Sequence, residues 1–131
     1  MDDTYVDEIW DYQTGHARIF VVRGELDADL SADLRRRLET ALLGPPEALL
    51  IDLEDVTFID VAALGDLVTV FQEAREVGAA TRLVAPSAAV QGLLRATQTE
   101  GDFPMNGNLT AAYGEVSAEA PETTSERDDA A

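Results

Sequence analysis

The chain has 131 residues and a mass of 14.1 kDa, the size of one domain with room for a hydrophobic core. It carries 26 acids against 9 cations, for a formal net charge of -17; every cation is Arg, Lys and Cys are absent, and there is a single His. This composition excludes a basic face for nucleic acid, a P-loop, lysine Schiff-base chemistry, disulfides, thiolate catalysis and a multi-His metal site.

Residues 1–4 read as an acidic N-terminal extension, and residues 4–12 (TYVDEIWDY) as an edge-like strand. The start, MDDTYVDEIW, is not a Sec signal, and no run of 18 apolar residues exists. A cytoplasmic protein without membrane insertion is therefore expected. Residues 17–23 (ARIFVVR), between Gly15 and Gly24, predict a strand. Gly24-Glu25-Leu26-Asp27 reads as a break.

Leu30, Leu34, Leu38 and Leu42 then recur every four residues, which makes one apolar helix face. Asp29 or Ser31 is the expected cap, and Gly44-Pro45-Pro46 the stop. Arg35-Arg36-Arg37 reads as a solvated helix face pairing with Asp33 and Glu39 rather than as a nucleic-acid patch. Residues 48–53 (ALLIDL) predict a buried strand, followed by a loop, EDVTFID. A second helix follows, with Leu64, Leu67, Val68, Phe71 and Ala74 on one face, Asp60 as its cap and Gly78 at its end.

Residues 81–85 (TRLVA) predict another strand, stopped by Pro86. Ser87 caps a third helix with Val90, Leu93 and Leu94 inward. A short strand at 103–105 and a helix capped by Asn108, containing Leu109, Ala112 and Tyr113, complete the order. Residues 117–131 (SAEAPETTSERDDAA) lack large apolar side chains and read as an acidic disordered tail, leaving a single domain over 5–116. Strands alternating with helices predict an α/β fold: a mixed sheet of four to five strands with βαβ units and helices packed on it.

Chemistry is sparse. There is no GxSxG elbow and no GxGxxG loop, and no serine has an evident partner in His16. Asp52, Asp55 and Asp60 read as strand ends and helix caps before they read as acid–base groups. No enzyme activity, cofactor or metal site is expected.

Three stretches resemble the STAS family, the domain of sulphate transporters and bacterial anti-sigma factor antagonists. They are RGELDADLSADLRRRL, LLIDLEDVTFID and VAALGDLVTVFQEAREVGAATRLVAPSAAVQGLLRATQ. The resemblance spans about residues 5–113 in matching order. It implies a non-catalytic module that frees a sigma factor by binding an anti-sigma factor of the ATP-binding switch-kinase type. Such a module binds through the loop after its central strand and the start of the next helix.

The family motif there is similar to D-[ST]-[ST]-G-L-G, and its second hydroxyl usually accepts phosphate. Aligned on Asp60 and on Leu64-Gly65, Val61 and Ala62 fall on the hydroxyl positions and Ala63 on the Gly. The phosphoacceptor position is thus Ala62, and the resemblance implies an antagonist without that switch. Its implied contact patch is Asp27, Thr57, Asp60, Val61, Ala62, Ala63 and Asp66. Thr57, in the expected loop, is the substitute acceptor to consider. The alternatives are a STAS-like scaffold or accessory subunit of a transporter or stress-signalling assembly, and an anion sensor using the helix start after Asp60. Homodimerisation is left open.

Overall fold

The computed structural model describes residues 8–119. β1 (Glu8–Thr14) and β2 (Ala17–Leu26) form an antiparallel hairpin. Its two-residue turn is Gly15-His16, with Gly15 at φ +55°. Such turns need positive φ, which glycine adopts without strain. There follow α1 (Ala28–Leu43), β3 (Ala48–Ile59), α2 (Val61–Glu76), β4 (Ala80–Val84), α3 (Ala88–Thr97), β5 (Met105–Asn106) and α4 (Leu109–Glu119).

The strands lie in the order β1-β2-β3-β4-β5, with β2 to β5 parallel. The fold is thus the expected mixed α/β sheet, here with five strands. Sequential parallel strands joined by right-handed crossovers place every connecting helix on one face. The packing agrees. Leu34, Leu38 and Leu42 of α1, Leu64, Leu67 and Phe71 of α2, and Val90 and Leu94 of α3 share one core with Phe20, Val22, Leu49 and Ile51. The Phe71 and Phe103 rings meet edge-on at 4.9 Å, which ties α2 to the approach to β5. α4 follows the last strand and covers the other face, where Ala112 and Val116 pack on Ala17, Ile19, Ala48, Leu50 and Val84. β3 is buried on both faces over 48–51, hence its unbroken apolar run.

The local signals place most of the helices. Ser87 accepts from the Val90 amide at 3.3 Å, and Asn108 from the Ala111 amide at 2.8 Å. Gly78, at φ +80°, donates to the Arg75 carbonyl just past the end of α2. Ala85 turns at φ +49° before Pro86 and ends β4 one residue earlier than expected.

Further boundaries differ from expectation. The last strand, β5, is Met105–Asn106 rather than 103–105. The break expected at Gly24 is a bulge: β2 shifts register there, Gly24 takes φ +101°, and the strand continues to Leu26. The loop expected at EDVTFID is strand through Ile59, held by that continuation of β2. The bulge hides it, because Val56 and Ile59 are buried while Thr57 and Phe58 are both exposed, so alternation fails. α1 is capped by Asp27, not by Asp29 or Ser31; Ser31 is buried and replaces half-buried Leu30 on the inner stripe. β1 is described from Glu8 and runs on to Thr14, and residues 1–7 of the expected extension and strand lie outside the described residues.

α4 runs through Glu119, past the tail boundary expected at residue 117. Residues 120–131 lie outside the described residues.

Candidate functional site

The candidate surface is built by strand register. Leu26 at the end of β2 pairs with Ile59 at the end of β3. The next residue on each strand is an aspartate, Asp27 and Asp60, so two carboxylates stand on adjacent strand ends. Both residues are extended, and both cap the helix that follows. Asp27 accepts from the Leu30 amide at 3.0 Å, and Asp60 from the Ala63 amide at 2.8 Å. Each satisfies a helix-end donor and meets the positive end of its helix dipole with negative charge. An anion directed at the start of α2 would therefore have to compete with the carboxylate of Asp60.

Beside them, Val61 is 65 % exposed and Ala62 is exposed. Ala63 is wholly buried, so its methyl group belongs to the core and only its backbone borders the patch. Thr57 is exposed, but on β3 at the bulge rather than in a loop. Asp66 lies further along α2 and is held by α1. It accepts from Ser31 Oγ at 2.6 Å and from Arg35 Nη1 at 3.0 Å. Register and chain connectivity thus bring together Asp27, Thr57, Asp60, Val61 and Ala62. Asp66 belongs to the seam between the two helices.

That seam continues along α1. Arg35 also donates through Nε to Glu39 at 3.0 Å. Its bonds to Glu39 and Asp66 hold the guanidinium in its charged form. Glu73 on α2 is pushed above the usual carboxylate range, first by burial, then by the neighbouring carboxylate of Glu39. The arginine run otherwise behaves as expected. Arg36 pairs with Asp33, and Arg37 reaches Asp33 at 3.3 Å.

Phe58 was missed as a surface residue. It is 46 % exposed, three positions before Val61. Read as part of a loop, it carried no signal of which way it faced.

One expectation about catalytic groups is overturned. His16 does have a serine partner: its Nε2 lies 3.2 Å from Ser117 Oγ. The His16 ring stacks on Tyr113 at 5.3 Å, and its Nδ1 is buried with no hydrogen-bond partner among the described residues. A hydrolytic triad needs a carboxylate at that nitrogen. The pair therefore fastens α4 to the β1–β2 turn. Among the described residues, no three His, Asp or Glu side chains gather as a metal site. A cavity of about 680 Å³ lies away from the strand ends, between β1 and α1, lined by Arg18, Arg36 and Arg37 among others.

The STAS domain model matches residues 9–112, and the chain belongs to the STAS domain family. An anti-sigma factor antagonist from Mycobacterium paratuberculosis superposes with a TM-score of 0.79 at 20% identity, covering 89% of this chain and 99% of that one. The anti-sigma factor antagonist SpoIIAA of Bacillus, in its unphosphorylated form, gives 0.73 at 18% identity, over 85% of this chain and 97% of that one. A murine Solute Carrier 26 anion transporter gives 0.70 at 15% identity, over 82% of this chain but only 18% of the transporter. Among curated proteins, none matches. At these identities the likeness establishes the fold. No helix among the described residues is long and apolar enough to cross a membrane.

Proposed function

We propose that this chain is a non-catalytic, cytoplasmic anti-sigma factor antagonist that binds an ATP-binding anti-sigma factor of the switch-kinase type. The observation that carries the reading is the pair of aspartates on adjacent strand ends, flanked by exposed Val61 and Ala62. Asp27 and Asp60 offer carboxylates to arginine on the partner, and Val61 with Ala62 lets the partner approach closely. The fold it shares with solved antagonists supports the role.

Ala62 sets the regulation. A phosphorylated hydroxyl adds about -1.5 to -2 charges. Beside Asp60 this would repel a partner that docks there. Alanine has no oxygen to phosphorylate, so the antagonist stays competent to bind. The transporter likeness supports the fold equally well, but no feature at this surface favours a transporter scaffold.

The test is affinity capture of the full chain from its source organism, with mass spectrometry of what it retains. Recovery of an ATP-binding anti-sigma factor, reproduced with the two purified proteins, is the expected result. Recovery of transporter subunits in its place would sink the reading.

A further inference from the structure

We propose that Phe58 is the apolar anchor of this surface, and that the anti-sigma partner receives it in an apolar socket rimmed by arginine or lysine. The inference rests on the antagonist reading and names the chemistry of its partner.

The position of the ring follows from unequal strand lengths. Pairing of β3 with β4 ends at Asp52 and Val84, while pairing of β3 with β2 continues to Ile59. Among the described residues, the last residues of β2 and β3 therefore project past β4 as a two-stranded ribbon. Near its tip Phe58 lies opposite Glu25. The register shift at Gly24 leaves Thr57 as an extra residue on β3. Val56 and Ile59 stay in the core, and Thr57 and Phe58 both face outward. A half-exposed aromatic beside an exposed valine is the type of residue that dominates interface energetics once a partner covers it.

The charge around the ring selects the occupant. Glu25 faces Phe58 across the ribbon, Glu54 and Asp55 precede it on β3, and Asp27 and Asp60 close the strand ends. The Arg on the ribbon, Arg23, already pairs with Glu8 at 3.4 Å and lies over the Trp10 ring at 5.5 Å. An apolar centre on a ribbon that bears these carboxylates repels a second copy of a chain with net charge -17. It suits a basic rim around an apolar hollow. The carboxylates then govern encounter rate and salt dependence, and the ring governs affinity.

The experiment uses the full chain and each ATP-binding anti-sigma factor of the source genome, purified singly. Binding is titrated at low and high salt for the wild type, Phe58→Ser, Phe58→Gln and Glu25→Gln, with circular dichroism to confirm folding. Both Phe58 variants should weaken binding by about tenfold or more with the salt slope unchanged. Glu25→Gln should flatten the salt slope. Two folded Phe58 variants that bind within about twofold of wild type would overturn the anchor while leaving the antagonist reading in place. If no anti-sigma factor binds the wild type, both fall. If Phe58→Ser instead abolishes self-association in analytical ultracentrifugation, the occupant is a second copy and the proposal is wrong.

Discussion

Ser31 on α1 donates its hydroxyl to Asp66 on α2 at 2.6 Å, and Arg35 reaches the other oxygen of the same carboxylate. One side chain thus fixes the relation between the two helices whose first turns flank the proposed binding surface. Asp66→Ala leaves the buried Ser31 hydroxyl without its acceptor and leaves Arg35 only Glu39. A loss of about 1–3 kcal/mol is expected. Urea denaturation checks it. Partner affinity, measured on the folded variant, should change far less than for substitutions at Asp60.

Asp60 does two things, and they can be separated. Asp60→Ala removes the helix cap and should cost about 1 kcal/mol. Asp60→Asn keeps an oxygen for the Ala63 amide and loses only the charge, so stability should stay within about 0.5 kcal/mol of wild type. Binding to the anti-sigma partner should fall in both. An Asp60→Asn protein that binds as tightly as wild type would show that the carboxylate is structural only.

Ala62 is exposed in the first turn of α2, so a serine fits there without repacking. Ala62→Ser should become a phosphate acceptor for a cognate switch kinase, and its phosphorylated form should lose partner binding. Incubation with kinase and ATP, followed by intact-mass and peptide mapping, reads both. Phosphate found on the wild type at Thr57 would contradict the loss of the switch.

Glu73 gives a pH signature. Its folded-state pKa is raised, so the folded protein favours the protonated form. Its contribution to stability is therefore most favourable at acid pH. That contribution declines as pH rises from the ordinary glutamate value of about 4.3 through the raised one. Glu73→Gln should melt higher than wild type at neutral pH. The advantage should vanish below about pH 4. Equal melting temperatures at pH 7 would mean that Arg35 already compensates for the charge.

Gly15 meets α4. It sits at φ +55°, and a Cβ there would collide with the Tyr113 hydroxyl. Gly15→Ala should destabilise by more than about 1 kcal/mol, combining backbone strain with the clash. Tyr113→Phe in the same chain should recover part of the loss by removing the oxygen. A double-mutant cycle by thermal denaturation measures the coupling, and strict additivity would show that only the backbone matters.

Much of this was legible locally. Leu34, Leu38 and Leu42 report the buried face of α1 through their spacing alone, and Ser87, Asn108 and Asp60 mark helix starts through side-chain acceptors that bond only a few residues away. Resemblance to the STAS pattern added the place of the candidate site and the identity of the residue, Ala62, at its phosphate position.

Other features depended on contacts between distant segments. Asp27 reads as part of a break until β2 is seen to continue through a bulge, because a register shift removes the alternation that reports a strand. Phe58 and Thr57 face solvent for the same reason. His16 and Ser117, 101 positions apart, meet only because α4 folds back over the second face of the sheet.

By itself, then, the order of residues determined the periodic elements and the caps of α2, α3 and α4, since each of these acts over one or two turns of chain. Tertiary structure decided that Asp27 and Asp60 stand side by side, that Ala63 turns inward, that Asp66 serves the helix seam and that Phe58 is left outside. The physical reason is that strand register and the rotation of a helix about its axis are set by packing against segments distant in the chain, which local spacing does not encode.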